Sequence, residues 1–182
     1  MRVFISGGCK NGKSFYAQRL ARAQHREPLY YIATMKPVDL EDNERIVRHR
    51  KERDGWGFTT IEQPLDIEGV LSKCDPGGSF LLDSLTALLA NEMFLPDESV
   101  NDQAAHKIIS GLVCVIRNIE NIVVVSDYIY SDALYYDSLT EKFRASLAAI
   151  DRVAAENCDV VLEAAYSSII AYKGLAIYEA LS

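Results

Sequence analysis

Val3-Phe4-Ile5-Ser6-Gly7-Gly8-Cys9-Lys10-Asn11-Gly12-Lys13-Ser14 is an apolar run that passes into the pattern G-x-x-x-x-G-K-S, and a helix-forming stretch follows at once. A backbone that wraps successive N–H groups around phosphate oxygens must turn more tightly than a Cβ permits, and glycine removes that obstacle. Lys13 then supplies charge to the outer phosphates and Ser14 a hydroxyl for Mg²⁺. The helix that starts here aims its positive end at the same anion. Gly7, Gly8, Cys9, Lys10, Asn11, Gly12, Lys13 and Ser14 are therefore the candidate phosphate-binding residues, with Lys13 also a candidate catalytic group.

The remainder of the chain fits a nucleotide-using domain. Its 182 residues, 49% hydrophobic and 25% charged, suffice for one sizeable core and one domain spanning 1–182. The longest uncharged apolar runs, such as Ile122-Val123-Val124-Val125, are far shorter than the roughly 20 residues a membrane helix needs. The N-terminus leads straight into a strand without the pattern of a signal peptide, so a soluble, cytoplasmic protein is expected. A formal net charge of −7 argues against general affinity for nucleic acid, which depends on Lys and Arg neutralising phosphates, and favours small-molecule partners. Cys9, Cys74, Cys114 and Cys158 contain no C-x-x-C pair, which speaks against a zinc site or a disulfide framework. Cys114 and Cys158 read as core filler.

Short β-like apolar runs alternate with amphipathic stretches, the pattern of an α/β fold with a mostly parallel sheet flanked by helices. Strands are expected at 2–6, 29–33, 58–61, 79–82, 121–126 and 159–163, with 169–172 as a late edge strand. Helices are expected at 13–24, 40–53, 85–94, 103–118 and 138–156; in the last of these Leu139, Phe143, Leu147 and Ile150 keep an apolar stripe.

Two further segments carry chemistry. The run Ser79-Phe80-Leu81-Leu82 ends in Asp83, a carboxylate at the carboxyl edge of a buried strand, where ligands of open α/β sheets sit. There it can join Ser14 as a Mg²⁺ ligand, or else cap the helix that begins near Leu85. Asp127, after Val123–Ser126, is a second metal candidate ranked below it. In the helix at 40–53, acidic residues crowd the start and Arg45, Arg48, His49, Arg50, Lys51 and Arg53 the end. Dipole complementation explains most of that pattern. It does not explain why Arg45, His49 and Arg53 share one stripe, because like charges at that spacing repel and a bound anion relieves them. Guanidinium groups nearby also favour a neutral His49 with a nitrogen free to attack phosphorus.

The loop at Gly7–Ser14, Tyr31-Ile32-Ala33-Thr34, Arg45-Ile46-x-x-His49-Arg50-x-x-Arg53, Phe58-x-Thr60-Ile61-Glu62-x-Pro64 and Leu81-Leu82-Asp83-Ser84-Leu85-Thr86 occur in an order and spacing that resembles one family. It is the bifunctional adenosylcobinamide kinase/adenosylcobinamide-phosphate guanylyltransferase family of cobalamin synthesis, and the likeness runs over nearly the whole chain. The resemblance implies a P-loop NTPase-type, RecA-like fold and two reactions. A nucleoside triphosphate, ATP or GTP, phosphorylates the alcohol of adenosylcobinamide; GTP then donates GMP through a covalent histidine–GMP intermediate. On this likeness His49 is the nucleophile. Ala33, Thr34 and Met35 line the nucleotide site, Arg50, Lys51, Glu52, Arg53 and Glu62 complete it, and Asp83 and Ser14 hold Mg²⁺. A cytoplasmic homotrimer is implied as well.

One segment departs from the family pattern. Where many members carry an Asn-Glu-Val-Gly type sequence and a glycine-containing loop, this chain has Asp127-Tyr128-Ile129-Tyr130-Ser131-Asp132. Loss of those glycines stiffens a loop at the carboxyl edge of the sheet and two tyrosines enlarge it. Met35 likewise stands where a small polar residue is common. A P-loop kinase acting on another small alcohol and a non-catalytic GTP-binding paralogue are the alternative readings.

Overall fold

The computed structural model describes residues 1–24, 26–37, 44, 46–47, 50–51, 53–130, 132–166 and 168–179. Valine- and isoleucine-rich runs with both faces covered are what a parallel sheet between helices requires, and the chain builds one. In order it forms β1 (Arg2–Gly7), α1 (Lys13–Ala23), β2 (Leu29–Ala33), β3 (Phe58–Glu62), a 3-10 turn (Ile67–Ser72), β4 (Ser79–Asp83), α2 (Leu85–Met93), α3 (Ala104–Asn118), β5 (Asn121–Asp127), α4 (Ser138–Asn157), β6 (Val160–Ala165), β7 (Ser168–Lys173) and α5 (Leu175–Glu179). The strands lie in the order β3-β2-β4-β5-β1-β6-β7. All pairs are parallel except the β6–β7 hairpin.

These elements agree with the sequence expectation to within two residues at each end where both are defined. The expected helix at 40–53 lies largely outside the described residues; Glu44, Ile46, Val47, Arg50 and Lys51 within it are helical. The 3-10 turn and α5 are too short for periodicity to reveal. Cys158 is buried as expected, but Cys114 is only partly buried, on the outer side of α3. No helix among the described residues is long and apolar enough to cross a membrane.

Alternation along the strands divides the core. Phe4, Ile32, Phe80, Leu82, Ile122 and Val124 face α2, α3 and α4, while Val3, Ile5, Leu81, Val123, Val125 and Leu162 face α1. Asp137 caps α4, its Oδ1 accepting from the Leu139 and Thr140 amides at 3.0 Å each.

Two acids among the described residues are buried on the α4 side of the sheet, Glu92 of α2 and Asp151 of α4. Asp151 is 3% exposed, and its Oδ2 accepts from the Tyr130 hydroxyl at 3.0 Å. Burial pushes its pKa up to about 7 from the usual 3.8, against the pull of the Ser126 and Tyr130 hydroxyls and with a smaller push from Asp127. Between those values the folded chain keeps a proton that the unfolded chain has released. Stability therefore falls as pH rises through this interval, by at most about 1.4 kcal/mol per pH unit, and the loss is complete above about pH 7. Asp151→Asn has no such proton. Urea unfolding of the two proteins from pH 4 to 8 is expected to show the variant gaining on the wild type as pH rises; parallel curves would refute this assignment.

Candidate active site

The last residues of β1, β2, β3, β4 and β5 are Gly7, Ala33, Glu62, Asp83 and Asp127. Register sets Gly7 opposite Asp127, and Ala33 opposite both Glu62 and Asp83. One edge of the sheet thus gathers every strand-end carboxylate singled out from the sequence. A cavity of about 270 Å³ opens there, lined by Lys13, Ser14, Tyr31, Ala33, Met35, Pro37, Ile46, Arg50, Arg53, Thr60, Glu62, Asp83, Ser84 and Asp127. A second, more open groove of about 580 Å³ adjoins it, sharing Arg50, Arg53, Thr60 and Glu62 and continuing along Asp54, Gly55, Gly57 and Phe58.

The phosphate loop is fixed from both sides. Asn11 Nδ2 donates to the Ala164 carbonyl at 2.6 Å, and Asn11 Oδ1 accepts from the Lys13 amide at 3.1 Å. Gly12, at φ 85°, occupies a backbone region that costs other residues dearly, and α1 begins directly after it without a side-chain cap. First-turn amides of a helix have no intrahelical acceptors, so this end of α1 is suited to an anion. Lys13 Nζ donates to the Gly8 carbonyl at 3.2 Å and forms an ion pair with Asp127 Oδ1 at 2.5 Å, both side chains being nearly buried.

Tyr31 organises the opposite wall. Its hydroxyl donates to Asp83 Oδ2 at 2.8 Å, and its ring lies 3.9 Å beneath the Arg53 guanidinium, a cation–π contact. Arg53, 8% exposed, also donates to Thr60 Oγ1 at 3.3 Å; burial lowers its pKa, with Tyr31 opposing. Arg50 pairs with Glu62 at 3.1 Å on the exposed rim. Trp56, three residues after Arg53, packs edge-on against Phe15 at 5.7 Å and under Arg22 at 5.4 Å, tying this wall to α1.

The capping alternative for Asp83 fails, because α2 is capped by Ser84, whose Oγ accepts from the Ala87 amide at 3.3 Å. Asp83 and Ser14 offer a carboxylate and a hydroxyl to one cavity. Such oxygen donors suit Mg²⁺, which commonly takes one or two protein groups and completes its shell with phosphate and water.

Residues 3–167 match the family model CobU, described as cobinamide kinase / cobinamide phosphate guanyltransferase. The chain belongs to this family. It is 30% identical over 162 residues to the bifunctional adenosylcobalamin biosynthesis protein CobP of Pseudomonas aeruginosa, covering 88% of this chain and 91% of that protein. To the bifunctional adenosylcobalamin biosynthesis protein CobU of Escherichia coli it is 32% identical over 95 residues, 52% of this chain and 51% of the relative. Its fold, of the P-loop NTPase type, is shared with a KaiC-like protein of Pyrococcus horikoshii OT3 at a TM-score of 0.53 and 9% identity, covering 94% and 78% of the two chains.

Of the residues expected to serve this CobU-family site, the structure brings Lys13, Ser14, Ala33, Met35, Arg50, Arg53, Glu62 and Asp83 to one cavity. Gly7, Gly8, Cys9, Lys10, Asn11 and Gly12 form the loop beside it, and Lys51 is exposed and does not line it. Thr34 has a different task. It is fully buried, its hydroxyl donating to the Ser84 carbonyl at 2.8 Å and accepting from the Ser84 amide at 2.7 Å, so it locks the end of β2 to β4 rather than facing a ligand. His49 and Glu52 lie outside the described residues, as do Arg45 and Arg48. Tyr31, Thr60 and Ser84 stand in the stretches that carry the family resemblance, but the sequence assigns them no role at the site. Tyr31 precedes Ile32 in an unbroken apolar strand, and the only local sign of its role is a hydroxyl in a run that otherwise reads as core.

The glycines of the loop separate two kinds of constraint. A Cβ at Gly7 would collide with the Ala164 carbonyl oxygen and stand 2.5 Å from Asn11 Nδ2, whereas one at Gly8 would meet nothing within 4 Å. Gly7→Ala should thus cost about 1–3 kcal/mol of stability. Gly8→Ala should leave the melting temperature in place and weaken calorimetric binding of GTP and ATP about tenfold or more, because its methyl group fills space beside the phosphate seat. Equal loss of stability in both variants would contradict this division.

Proposed function

We propose that this chain performs both reactions named by its family in the single cavity at the carboxyl edge of the sheet, phosphorylating the alcohol of adenosylcobinamide and then transferring GMP from GTP to the product. The observation that carries the reading is the convergence of Lys13, Ser14, Asp83, Arg50 and Arg53 on that cavity in a chain matched to the family over residues 3–167.

In the first reaction the loop from Gly7 to Ser14 seats the triphosphate of ATP or GTP. Lys13 neutralises the transferred phosphoryl group, while Arg50 and Arg53 hold charge on the far side; phosphoryl transfer depends mainly on such positioning and neutralisation. Mg²⁺, held by Ser14 and Asp83, would supply further neutralisation of the phosphate oxygens. In the second reaction a ring nitrogen of His49 attacks the α-phosphorus of GTP and pyrophosphate leaves. The phosphate of adenosylcobinamide phosphate then displaces the histidine to give adenosylcobinamide-GDP. Support for His49 is its place in the arginine stripe and the family motif; its sequence neighbour Arg50 and the later Arg53 both reach the cavity. Thr34 is assigned an orienting role. Glu62 completes the rim by holding Arg50.

The protein is further proposed to act in the cytoplasm as one functional unit of residues 1–182 and to assemble as a homotrimer. Supporting self-association, Ile170, Tyr172, Leu175 and Ile177 are large apolar residues left exposed around β7 and α5. Light scattering tests the trimer directly.

Incubation with labelled GTP and Mg²⁺, followed by mass-spectrometric mapping under mildly alkaline conditions, tests the covalent step. GMP is expected on His49. In His49→Asn the adduct and GMP transfer should vanish while phosphorylation of adenosylcobinamide persists. An adduct on Lys13, His25 or His106, or full labelling of the variant, would overturn the assignment. Asp83→Asn, which keeps shape and removes charge, should raise the Mg²⁺ concentration needed for half-maximal kinase rate; an unchanged requirement would remove Asp83 from the metal site.

A further inference from the structure

Tyr31 stands in an apolar strand where phenylalanine would serve the core equally well, so its hydroxyl needs a separate reason. The residue is 5% exposed, and burying a hydroxyl is costly unless it is hydrogen-bonded. Parallel register supplies the partner. Tyr31 lies level with Leu81 of β4 and Thr60 of β3, and Asp83 follows Leu81 by two residues on the same face, at the strand end. The phenol spans that offset and donates to Asp83 Oδ2 at 2.8 Å.

The ring serves a different group. The Arg53 guanidinium lies 3.9 Å from the ring centroid and donates to Thr60 Oγ1 at 3.3 Å, so the two residues that hold it are level with each other on β2 and β3. Phe58 meets the Tyr31 ring edge-on, with centroids 6.1 Å apart, and fixes its tilt. A guanidinium that belongs to a residue only 8% exposed has lost much of its hydration, and the negative face of the ring offsets part of that loss. Hydroxyl and ring thus act on two groups of one cavity, the metal candidate Asp83 and the anion-binding candidate Arg53.

We propose that Tyr31 is a positioning residue with two separable tasks: its hydroxyl orients the Asp83 carboxylate for Mg²⁺, and its ring directs Arg53 toward the phosphates. The inference rests on the readings of Asp83 as a metal ligand and of Arg53 as a phosphate contact. Removing a hydrogen bond that orients a ligating carboxylate weakens metal affinity about 10- to 100-fold. Loss of the ring acts elsewhere, because Arg53 keeps its charge but loses the surface that sets its direction.

Calorimetric binding of ATP to the whole chain, measured from EDTA to saturating Mg²⁺, separates the two tasks. Tyr31→Phe keeps the ring and removes the hydroxyl. Its affinity for ATP should reach the wild-type plateau, but only at about 10- to 100-fold higher Mg²⁺. The kinase rate with adenosylcobinamide should be displaced along the Mg²⁺ axis in the same way. Tyr31→Leu removes both groups, so its curve should shift likewise and level off about tenfold weaker. Tyr31→Met serves the same comparison if the leucine variant does not fold. In an Arg53→Met background, loss of the ring should lower the plateau no further, since no guanidinium remains for it to hold. Asp83→Asn is measured beside them. A shift in Asp83→Asn with none in Tyr31→Phe overturns the task of the hydroxyl, and so does a weaker plateau in Tyr31→Phe. A wild-type plateau without the ring, or a further fall in the Arg53→Met background, overturns the task of the ring. No shift in Asp83→Asn, or no ATP binding by the wild type, defeats the reading of the site instead, and this proposal with it.

Discussion

The parallel pairing of β1 with β5 on one side and β6 on the other is the constraint from which the site follows. Because both neighbours run in the same direction and in one register, Gly7 reaches the carboxyl edge level with Asp127 and Ala164. The chain must then leave β1 through a gap bounded by the Ala164 carbonyl, which admits no Cβ, and reverse into α1 through the left-handed Gly12. Lys13 emerges from that reversal beside Asp127. Displacement of β1 by one residue along its neighbours would exchange the faces of its side chains and part the lysine from its carboxylate together.

Charge in the cavity is arranged as exchangeable pairs. Lys13 is held by Asp127, Arg50 by Glu62, and Arg53 by the face of Tyr31, whose hydroxyl in turn reaches Asp83. Each cation is therefore held in place by a partner at the cavity, and in the proposed function phosphate replaces that partner. Such a site discriminates by what it must give up. A neutral ligand would separate charges without compensating them, which is the strongest penalty available in a partly buried pocket. The exposed Arg50–Glu62 pair contributes little to stability by comparison, and its value lies in orientation.

Most of the fold was legible because apolar runs and amphipathic stretches alternate cleanly, and because Gly7, Gly12, Lys13 and Ser14 leave little freedom in how the first strand meets its helix. Asp83 was legible for the same reason: a carboxylate closing a buried run has to lie at an edge. Thr34 stands between Ala33 and Met35, which line the cavity, while its own hydroxyl is engaged with the Ser84 backbone, a contact that no local pattern announces. Tyr31 and the Lys13–Asp127 contact were not readable, since each depends on residues brought together from strands far apart in sequence. Cys114 looked like core by composition, yet helical phase carries it away from Leu112 and Val115, the residues α3 buries.

The contact of Trp56 with Phe15 and Arg22 has an optical consequence. This is the single tryptophan of the chain, and it bridges the helix that carries Lys13 and Ser14 to the segment that carries Arg53. Indole emission responds to nearby charge and to ring contacts, and here one fluorophore touches both walls of the cleft. The protein thus contains its own reporter of the separation between the glycine-loop helix and the arginine-bearing segment, readable in the unlabelled wild type.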